Sequence, residues 1–374
     1  MKVAMVSPYD YDSPGGVTSH VSQLSKGLLK LGHAVHVLAP HSMPVEPKYE
    51  NPLLIPLGRP VPIPTGGSVA RLSLSWWLSK KISMILDREC YDVIHVHEPL
   101  APILPLVVLE HSKSVNIGTF HAYDDKFHVH SLGRLLVRRW QKKLHGSIAV
   151  SEAALSHVDS NFTMDYQIIP NGVDIDHFAV KYPPICELKD GKTNILFVGR
   201  LEKRKGLKYL IEAFLKLKRE CPNIRLVVVG PGDLDKESQY IMGASNSEDI
   251  VIAGRVSYED LPRYYSSADI FCSPATGSES FGIVLLEAMA SSKPVVASNI
   301  LGYRSIIRDR EQGLLFDNKD CDALVTALKC IITNPDLGEK MGISGRETVE
   351  RYRWSSISKQ VEEYYLDRIS SVIL

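Results

Sequence analysis

The chain has 374 residues, of which 44% are hydrophobic and 23% charged, a composition typical of a globular protein with room for two domains. Its 43 basic and 43 acidic residues give a formal net charge of zero, so the chain as a whole does not attract nucleic acid. We therefore expect no nucleic-acid partner, and any electrostatic recognition must come from local patches.

The N-terminus and the cysteines indicate a cytosolic protein. The stretch MKVAMVSPYDYDSPGG reaches charged and turn residues too soon for a signal peptide, and no run of about 18 apolar residues follows it. The cysteines, at positions 90, 186, 221, 272, 321 and 330, form no C-x-x-C pair, and several lie in apolar runs. We expect reduced core residues rather than a zinc or disulfide framework.

The first half of the chain alternates short strand-like runs with longer helical ones. The predicted strands are Lys2–Ser7, Ala34–Ala39, Val93–His97, Val115–Phe120 and Ser147–Val150, and the predicted helices lie near Val17–Leu31, Pro102–His111 and Ser131–Leu144. Short buried strands separated by helices predict a parallel, doubly wound sheet.

The second half repeats this pattern after a polar stretch near Asp176–Lys192. The predicted strands are Asn194–Val198, Ile224–Val229, Ile250–Ala253, Ile270–Ser273 and Pro294–Ser298, with helices at Gly206–Glu220 and after Ser280. We expect two Rossmann-like α/β domains, residues 1–175 and 176–374, facing each other across a cleft. The last helix, Trp354–Leu366, is apolar enough to pack back on the first domain.

Loops that follow parallel strands are the expected ligand sites. The first such loop, YDYDSPGGV, places Gly15 and Gly16 where a backbone could approach a ligand closely, although a purely structural turn would look the same. Because this loop lacks the G-x-G-x-x-G pattern, a nicotinamide or flavin cofactor is not expected.

The second loop is basic and reads GRLEKRKG over residues 199–206. Arg200 and Lys205 would flank the start of a helix, where a forked donor, a point charge and backbone N–H groups suit a diphosphate. The alternative is a solvated basic loop.

The third loop carries two glutamates around a helix start, in the sequence GSESFGIVLLEAM. Ser280, Phe281 and Gly282 would present the helix N-terminus to phosphate oxygens. Glu279 and Glu287 are then available for sugar hydroxyls, since a carboxylate accepts several hydrogen bonds. The alternative is a capping glutamate and a solvent-facing one.

The fourth loop ends a strand at His121, which could hydrogen-bond a reacting hexose or serve a structural role. Two further segments, His95–Glu98 and His128–His130, place histidines on alternate strand positions, as metal ligands sometimes are. A matching third ligand is not evident, so we expect no metal site.

A basic amphipathic stretch covers residues 131–145, SLGRLLVRRWQKKLH. Its apolar residues recur every fourth position, and its basic residues are Arg134, Arg138, Arg139, Lys142 and Lys143. Such a helix can lie on anionic lipid, or it can be an ordinary domain helix with solvated charges. Trp76 and Trp77, followed by Lys80 and Lys81, could add a second lipid contact.

The four loops, in this order, resemble those of the retaining family-4 glycosyltransferases of GT-B fold, over essentially the whole chain. More narrowly, the segments MVSPYDYDSPGGVTSHV, VPIPTGGSVARL, HVHEPLAP, GTFHAYDDK and ESFGIVLLEAM resemble phosphatidyl-myo-inositol mannosyltransferases. Those enzymes move mannose from GDP-mannose to the inositol of a membrane phospholipid. After His121 this chain has Ala122 and Tyr123, whereas the mannosyltransferases carry small hydroxyl residues there.

The resemblance implies a role for each candidate residue. Arg200 and Lys205 would neutralise the donor diphosphate, Gly16 would lie under its phosphates, Glu279 and His121 would contact the hexose, Glu287 the ribose, and Tyr9, Asp12, Arg71 and Lys126 the acceptor head. The catalytic set is then His121, Glu279, Arg200 and Lys205, without a metal ion, a cofactor or a protein nucleophile. An enzyme of this kind would act in the cytoplasm, bound peripherally to anionic phospholipid on the inner face of the cell membrane.

Three alternatives remain open from the sequence. The first is a UDP-sugar-dependent family-4 transferase with another lipid or a soluble acceptor, because the base pocket cannot be identified from sequence. The second is a nucleotide-sugar epimerase of the same fold, and the third is a non-catalytic protein that binds sugar nucleotides or membranes.

Overall fold

A computed structural model describes residues 1–13, 15–42, 54–65, 68–73, 75–122, 138–160, 162, 164–179, 182–245 and 248–373. The chain divides into two compact units. Unit 1 comprises residues 1–172 and 354–374, and unit 2 comprises residues 173–353. The predicted boundary after residue 175 is close to this division, but the last helix belongs to unit 1.

Unit 1 is built on a seven-stranded parallel sheet of order β3-β2-β1-β6-β7-β8-β9. Its strands are β1 (Lys2–Val6), β2 (Ala34–Ala39), β3 (Leu54–Pro56), β6 (Val93–His97), β7 (Val115–Phe120), β8 (Gly146–Ala149) and β9 (Tyr166–Ile168). A separate antiparallel hairpin consists of β4 (Pro60–Thr65) and β5 (Ser68–Ser73). Apart from Lys2, every residue of β1, β6 and β7 is buried, as expected for central strands of a parallel sheet that is covered on both faces.

The described helices of unit 1 are α1 (Gly16–Lys30), α2 (Ser79–Glu89), α3 (Leu104–His111), α4 (Glu152–Asp159) and α13 (Trp354–Ile373). Helix α13 packs against α1. The two helices approach closely at Gly27, where an added Cβ would lie 1.9 Å from Oγ of Ser358. Ile357, Val361 and Tyr365 of α13 are buried in the same core as β1, which places the C-terminal helix in unit 1.

Unit 2 is built on a six-stranded parallel sheet of order β12-β11-β10-β13-β14-β15. Its strands are β10 (Thr193–Val198), β11 (Ile224–Val229), β12 (Ile250–Gly254), β13 (Ile270–Ser273), β14 (Val295–Ser298) and β15 (Gly313–Phe316). Its described helices are α5 (Ile175–Ala179), α6 (Leu207–Glu220), α7 (Lys236–Ser245), α8 (Leu261–Ser267), α9 (Ile283–Ala290), α10 (Leu301–Arg304), α11 (Cys321–Thr333) and α12 (Pro335–Val349). Two apolar cores, one on each face, fill the space between sheet and helices.

The prediction of two parallel α/β domains is confirmed, and the bounds of β2, β6, β7, β11 and β13 match the predicted ones. The hairpin β4-β5 was not predicted, because Pro60, Pro62 and Pro64 argue against a strand. These prolines occur in a sheet of only two strands, where a missing N–H can face away from the partner. Within the described residues, no helix combines the length and apolar character needed to cross a bilayer.

The prediction that the cysteines are core residues is wrong for Cys90 and Cys186, which are exposed. Cys272 is buried in β13, and the half-buried Cys221, Cys321 and Cys330 pack against the same core. Cys90 ends helix α2 with a left-handed backbone, a position at the surface. A cysteine beside apolar residues can therefore lie on the outer face of an amphipathic segment.

Candidate functional site

Two loops meet at the carboxyl edge of the unit 2 sheet. One follows β10 and leads through a short 3-10 turn, Lys203–Lys205, into α6, and the other follows β13 and leads into α9. Because β10 and β13 are parallel neighbours, their carboxyl ends adjoin. The backbone N–H of Thr276 donates to the Arg204 carbonyl at 2.7 Å and so joins the two loops.

The centre of this loop pair is a buried carboxylate between two cations. Nζ of Lys205 lies 2.7 Å from Oε1 of Glu279, and Arg204 donates to the same oxygen and, at 3.1 Å, to the Ser278 carbonyl. Glu279 is only 8% exposed. A carboxylate removed from water is held by charge-assisted bonds of this kind, so the three side chains have a defined arrangement.

In the loop predicted to bind a diphosphate, the arginine that contacts Glu279 is not the one that the sequence singled out. Arg200 is half-exposed and pairs with Glu202 at 3.1 Å, while Arg204 is the arginine that contacts Glu279. The 3-10 turn causes the difference, because it directs residues 204 and 205 together toward the neighbouring loop. The run K-R-K was the available signal, but spacing alone does not show which cation faces inward.

The third loop has the predicted helix after Ser280. Helix α9 begins at Ile283, so Glu279 precedes the helix and Glu287 lies on it. The Phe281 side chain is buried in the core and packs on Tyr352, so only the Phe281 backbone is available to a ligand. The residue at the N-cap of this helix, Gly282, has no side chain with which to cap it, so backbone N–H groups of the first turn are suited to an anion.

Glycines bring these loops together. The Gly206 backbone has a φ of +71°, and a Cβ there would lie 1.9 Å from the Pro274 carbonyl oxygen. A Cβ on Gly302 would lie 2.0 Å from the Glu279 carbonyl oxygen. The Glu279 loop is thus held between α6 and α10 by contacts that admit no side chain.

Glu287 lies further along α9 and accepts a hydrogen bond from the Tyr265 hydroxyl at 2.8 Å. Burial raises the pKa of Glu287 to about 7, although the Tyr265 bond and the positive charge of Lys205 act in the opposite direction. Lys205 therefore influences both glutamates. Tyr265 was not singled out from the sequence, because it lies on α8, far from the motif.

Replacement of Glu287 by glutamine should flatten the pH dependence of stability. The pKa of Glu287 rises from 4.5 to about 7 on folding, so the folded protein binds more protons and its free energy of unfolding falls as the pH rises through this interval. Glutamine does not titrate and removes that part of the fall. Urea unfolding at pH about 5 and about 8 measures it. Glu237→Gln, at an exposed pair with Lys208, is the control, and an unchanged slope in Glu287→Gln would contradict the prediction.

In unit 1, His121 follows β7 and belongs to a buried group of histidines. Its Nε2 lies 2.9 Å from Nδ1 of His97, whose ring stacks on that of His95. The His20 ring contacts the His97 and His121 rings edge-on. Burial holds the pKa values of His20, His95, His97 and His121 well below the usual range, so these rings are neutral at neutral pH.

The backbone at His121 is held by Glu98. One carboxylate oxygen of Glu98 accepts the N–H groups of His121 and Ala122, each at 2.8 Å. Burial raises the pKa of Glu98 to about 7, against the lowering effect of these two bonds. The sequence analysis treated Glu98 only as a possible metal ligand, and the structure shows it positioning the loop.

The predicted acceptor residues Tyr9, Asp12 and Arg71 lie on adjoining segments of unit 1. Tyr9 pairs with Leu72 in an isolated antiparallel bridge, and Asp10 N–H donates to the Arg71 carbonyl at 2.9 Å. Asp12 contacts His41 at 3.0 Å. Lys126 lies outside the described residues. At Gly16 an added Cβ would meet no described atom within 4 Å, so internal packing does not account for this glycine.

The basic stretch is described from residue 138 onward, so Arg134 lies outside the described part. Arg139 pairs with Glu110 at 2.5 Å, and Lys143 donates to the Glu110 carbonyl at 2.6 Å. Trp140 and Leu144 pack on the unit 1 core. Arg138 and Lys142 are exposed, and neither has a partner among the described residues. Of the four basic side chains of this stretch that the structure describes, these two are therefore available to a partner surface.

Comparison with known proteins agrees with this geometry. Two family models match, Glycosyltransferase Family 4 over residues 14–177 and Glycosyl transferases group 1 over residues 181–348. The phosphatidyl-myo-inositol mannosyltransferase of Mycobacterium leprae is 37% identical over 372 residues, covering 98% of this chain and 96% of that protein. The phosphatidyl-myo-inositol mannosyltransferase of Mycolicibacterium smegmatis is 36% identical over 372 residues, covering 98% of this chain and 93% of that protein.

A solved structure supports the fold. The glycosyltransferase from Rickettsia africae superposes with a TM-score of 0.80 at 21% identity, over 98% of each chain. At 21% identity this structural similarity shows the fold only. Membership of the family is shown by the two family models and by the sequence identity to the mannosyltransferases. The chain therefore belongs to the family-4 glycosyltransferases of GT-B fold.

Proposed function

We propose that the protein is a retaining mannosyltransferase that moves mannose from GDP-mannose to the inositol of a phosphatidylinositol-type lipid. The observation that carries the proposal is the 37% identity, over 98% of the chain, to the phosphatidyl-myo-inositol mannosyltransferase of Mycobacterium leprae. In this proposal unit 2 binds the donor and unit 1 binds the acceptor. That the chain is a glycosyltransferase follows from the two family models and from its mannosyltransferase relatives.

The donor diphosphate would bind where Lys205 and the α9 N-terminus lie. Lys205 and Arg200 would neutralise the charge that grows on the leaving diphosphate, with the backbone N–H groups of residues 280–282. Arg200 is half-exposed and free to turn toward a ligand, and its pair with Glu202 is weak in water. Arg204 is an addition to the sequence-based set, since it holds Glu279 toward the hexose.

The two glutamates would then recognise hydroxyl groups at either end of the donor. Glu279 is held by two cations and keeps an ionised, oriented carboxylate for the hexose. Glu287 would accept hydrogen bonds from the ribose, and Gly16 would leave room for the donor phosphates. His121 would contact the hexose near its reacting carbon.

In the proposed reaction, an inositol hydroxyl attacks the anomeric carbon of mannose from the face that the diphosphate leaves. The new C–O bond forms as the bond to the diphosphate breaks, and a leaving phosphate oxygen accepts the hydroxyl proton. Configuration is retained without a protein nucleophile, and the cations supply electrostatic stabilisation of the transition state. Tyr9, Asp12, Arg71 and Lys126 would bind the acceptor head.

We also propose that the protein lies on the inner face of the cell membrane, attached through its basic stretch. Arg138 and Lys142 are exposed on this stretch, which suits contact with anionic phospholipid. The positive charges of Arg134, Arg139 and Lys143 would add to the electrostatic attraction between this stretch and anionic lipid. Trp77 is 68% exposed and could insert at the lipid interface, whereas nothing is described of the Trp76 side chain.

Reversal of both exposed charges, Arg138→Glu with Lys142→Glu, is expected to weaken binding to anionic vesicles roughly 30-fold or more, since each basic residue near such a surface contributes about 1 kcal/mol. Vesicle sedimentation with and without phosphatidylserine measures this. Lys26→Glu with Lys30→Glu, at the same spacing on the exposed face of α1, is the matched control. If wild type and the Arg138→Glu with Lys142→Glu variant bound anionic vesicles equally well, the proposed membrane contact of this stretch would be contradicted.

Calorimetric titration with GDP, UDP, GDP-mannose and UDP-glucose tests the proposed donor. Tighter binding of the GDP pair is expected, followed by transfer of labelled mannose to phosphatidylinositol. Preference for the UDP pair would contradict the named reaction and favour the UDP-sugar alternative. A donor sugar that changes configuration without an acceptor would favour an epimerase, and the absence of all binding would favour a non-catalytic protein.

A further inference from the structure

We propose that His20, His97 and His121 form a binding site for one divalent transition-metal ion, such as Zn²⁺, and that the bound ion inhibits sugar transfer. One ring nitrogen from each residue lies within 4.8 Å of the other two, and all three side chains are buried. The inhibitory part rests on the proposed function of His121, while the binding part does not. The site differs from the expectation of no metal, because its third ligand, His20, comes from helix α1.

The three rings come from three separate elements. His20 lies on α1, His97 ends β6, and His121 follows β7. Since β6 and β7 are neighbouring parallel strands and α1 follows β1 on the other side of β6, the fold brings the three residues together. The alternation of His95 and His97 along one strand does not by itself identify His20 or His121 as neighbours of His97.

The hydrogen bonds of the rings leave nitrogen lone pairs on His20 and His97, while His121 must give up one bond to bind an ion. Nδ1 of His20 lies 2.7 Å from Oδ1 of Asn171, an oxygen that can only accept, so Nδ1 carries the proton and Nε2 the lone pair. When Nδ1 of His97 donates to Nε2 of His121, Nε2 of His97 likewise keeps a lone pair, and an ion held by all three rings would displace this bond to reach the lone pair of His121. This nitrogen is fully buried and has no hydrogen-bond partner among the described residues. A buried polar atom without a partner is uncommon and indicates a missing ligand.

The chemistry of the donor set favours a borderline metal. Three imidazoles with a polar partner behind one ring are the ligand arrangement that zinc uses in sites with an open fourth position. A tetrahedral ion with bonds of about 2.0 Å needs ligand nitrogens about 3.3 Å apart, so the ligand nitrogens would approach one another by up to about 1.5 Å. His121 would then direct a nitrogen to the ion rather than to a hexose.

Titration of the chelator-treated full-length protein with Co²⁺, followed by visible absorption, tests the site. We expect a saturable absorption band at one ion per chain, lost on addition of Zn²⁺. His20→Gln and His97→Gln should each lower the affinity about 100-fold or more, and Asn171→Ala about 10- to 100-fold through the loss of the oxygen that orients the His20 ring. His177→Gln, which removes a half-buried ring in unit 2, is the matched control and should bind normally.

Circular dichroism establishes that each variant is folded. If the ligand variants unfold, X-ray absorption of the Zn²⁺-loaded wild type decides, and three imidazole nitrogens at about 2.0 Å are expected. A coordination shell of oxygens, an unsaturable titration, or binding that survives His20→Gln with His97→Gln would overturn the site. Transfer activity should fall in proportion to Zn²⁺ occupancy, and full activity at saturation would overturn the inhibitory role. A protein that binds Co²⁺ as described but transfers no sugar would contradict the proposed function and leave the site standing.

Discussion

Replacement of Lys205 by alanine is expected to lower kcat/KM for sugar transfer roughly 30-fold or more, equivalent to about 2 kcal/mol, because the proposed charge-assisted contact to the leaving diphosphate is lost. The loss has a second component. Lys205 and Arg204 share the buried Glu279 carboxylate, and without Lys205 one cation alone must hold it. A less well held Glu279 would bind the hexose less firmly in the transition state.

The measurement is steady-state kinetics with the donor that calorimetry identifies, together with the affinity for the free nucleoside diphosphate. Lys208→Ala is the matched control, because Lys208 lies three residues away on α6 and pairs with the exposed Glu237. The control should keep its activity. Wild-type kcat/KM and nucleotide affinity in Lys205→Ala would rule out a diphosphate role for this lysine.

Replacement of Gly206 by alanine is expected to cost about 3 kcal/mol or more of stability in unit 2 and most of the activity. The backbone of Gly206 has a φ of +71°, which disfavours any side chain. A Cβ there would also lie 1.9 Å from the Pro274 carbonyl oxygen, a backbone atom that cannot turn away. The clash would push the β10 and β13 loops apart and separate Lys205 from Glu279.

Urea unfolding followed by circular dichroism measures the stability, and nucleotide titration measures the site. Gly243→Ala is the control, since Gly243 lies on exposed α7 with no atom within 4 Å of a Cβ. That substitution should stabilise the protein by about 0.5–1 kcal/mol, because alanine favours a helix over glycine. If Gly206→Ala were as stable as Gly243→Ala, the close approach of Gly206 to the Pro274 carbonyl would not require a glycine, and the prediction would be wrong.

The strands of both sheets were the most predictable part of the fold. Runs such as Val115–Phe120 and Ile224–Val229 are short, mostly apolar and buried at every residue, which is typical of strands buried on both faces. Segments whose pattern is interrupted, such as the proline-containing hairpin β4-β5, were not predicted. Their pairing depends on a partner strand rather than on their own periodicity.

Only some of the residues in the candidate site were singled out from the sequence. Lys205, Glu279 and His121 stand next to strand ends, and the carboxyl edge of a parallel sheet brings such positions near ligands. Arg204, Tyr265, Glu98 and His20 were not predicted as functional. Each acts through a contact with a residue distant in sequence or through a turn that selects one of several adjacent cations.

The amino-acid sequence by itself determined that the protein has two parallel α/β domains and carries the motifs of a glycosyltransferase family, because hydrophobic periodicity and loop residues are local properties of the chain. Only the tertiary structure decided that Arg204 rather than Arg200 contacts Glu279, that Tyr265 donates to Glu287, and that three histidines share one buried cluster. These pairings depend on how strands and helices pack, and packing joins side chains whose separation along the chain carries no signal.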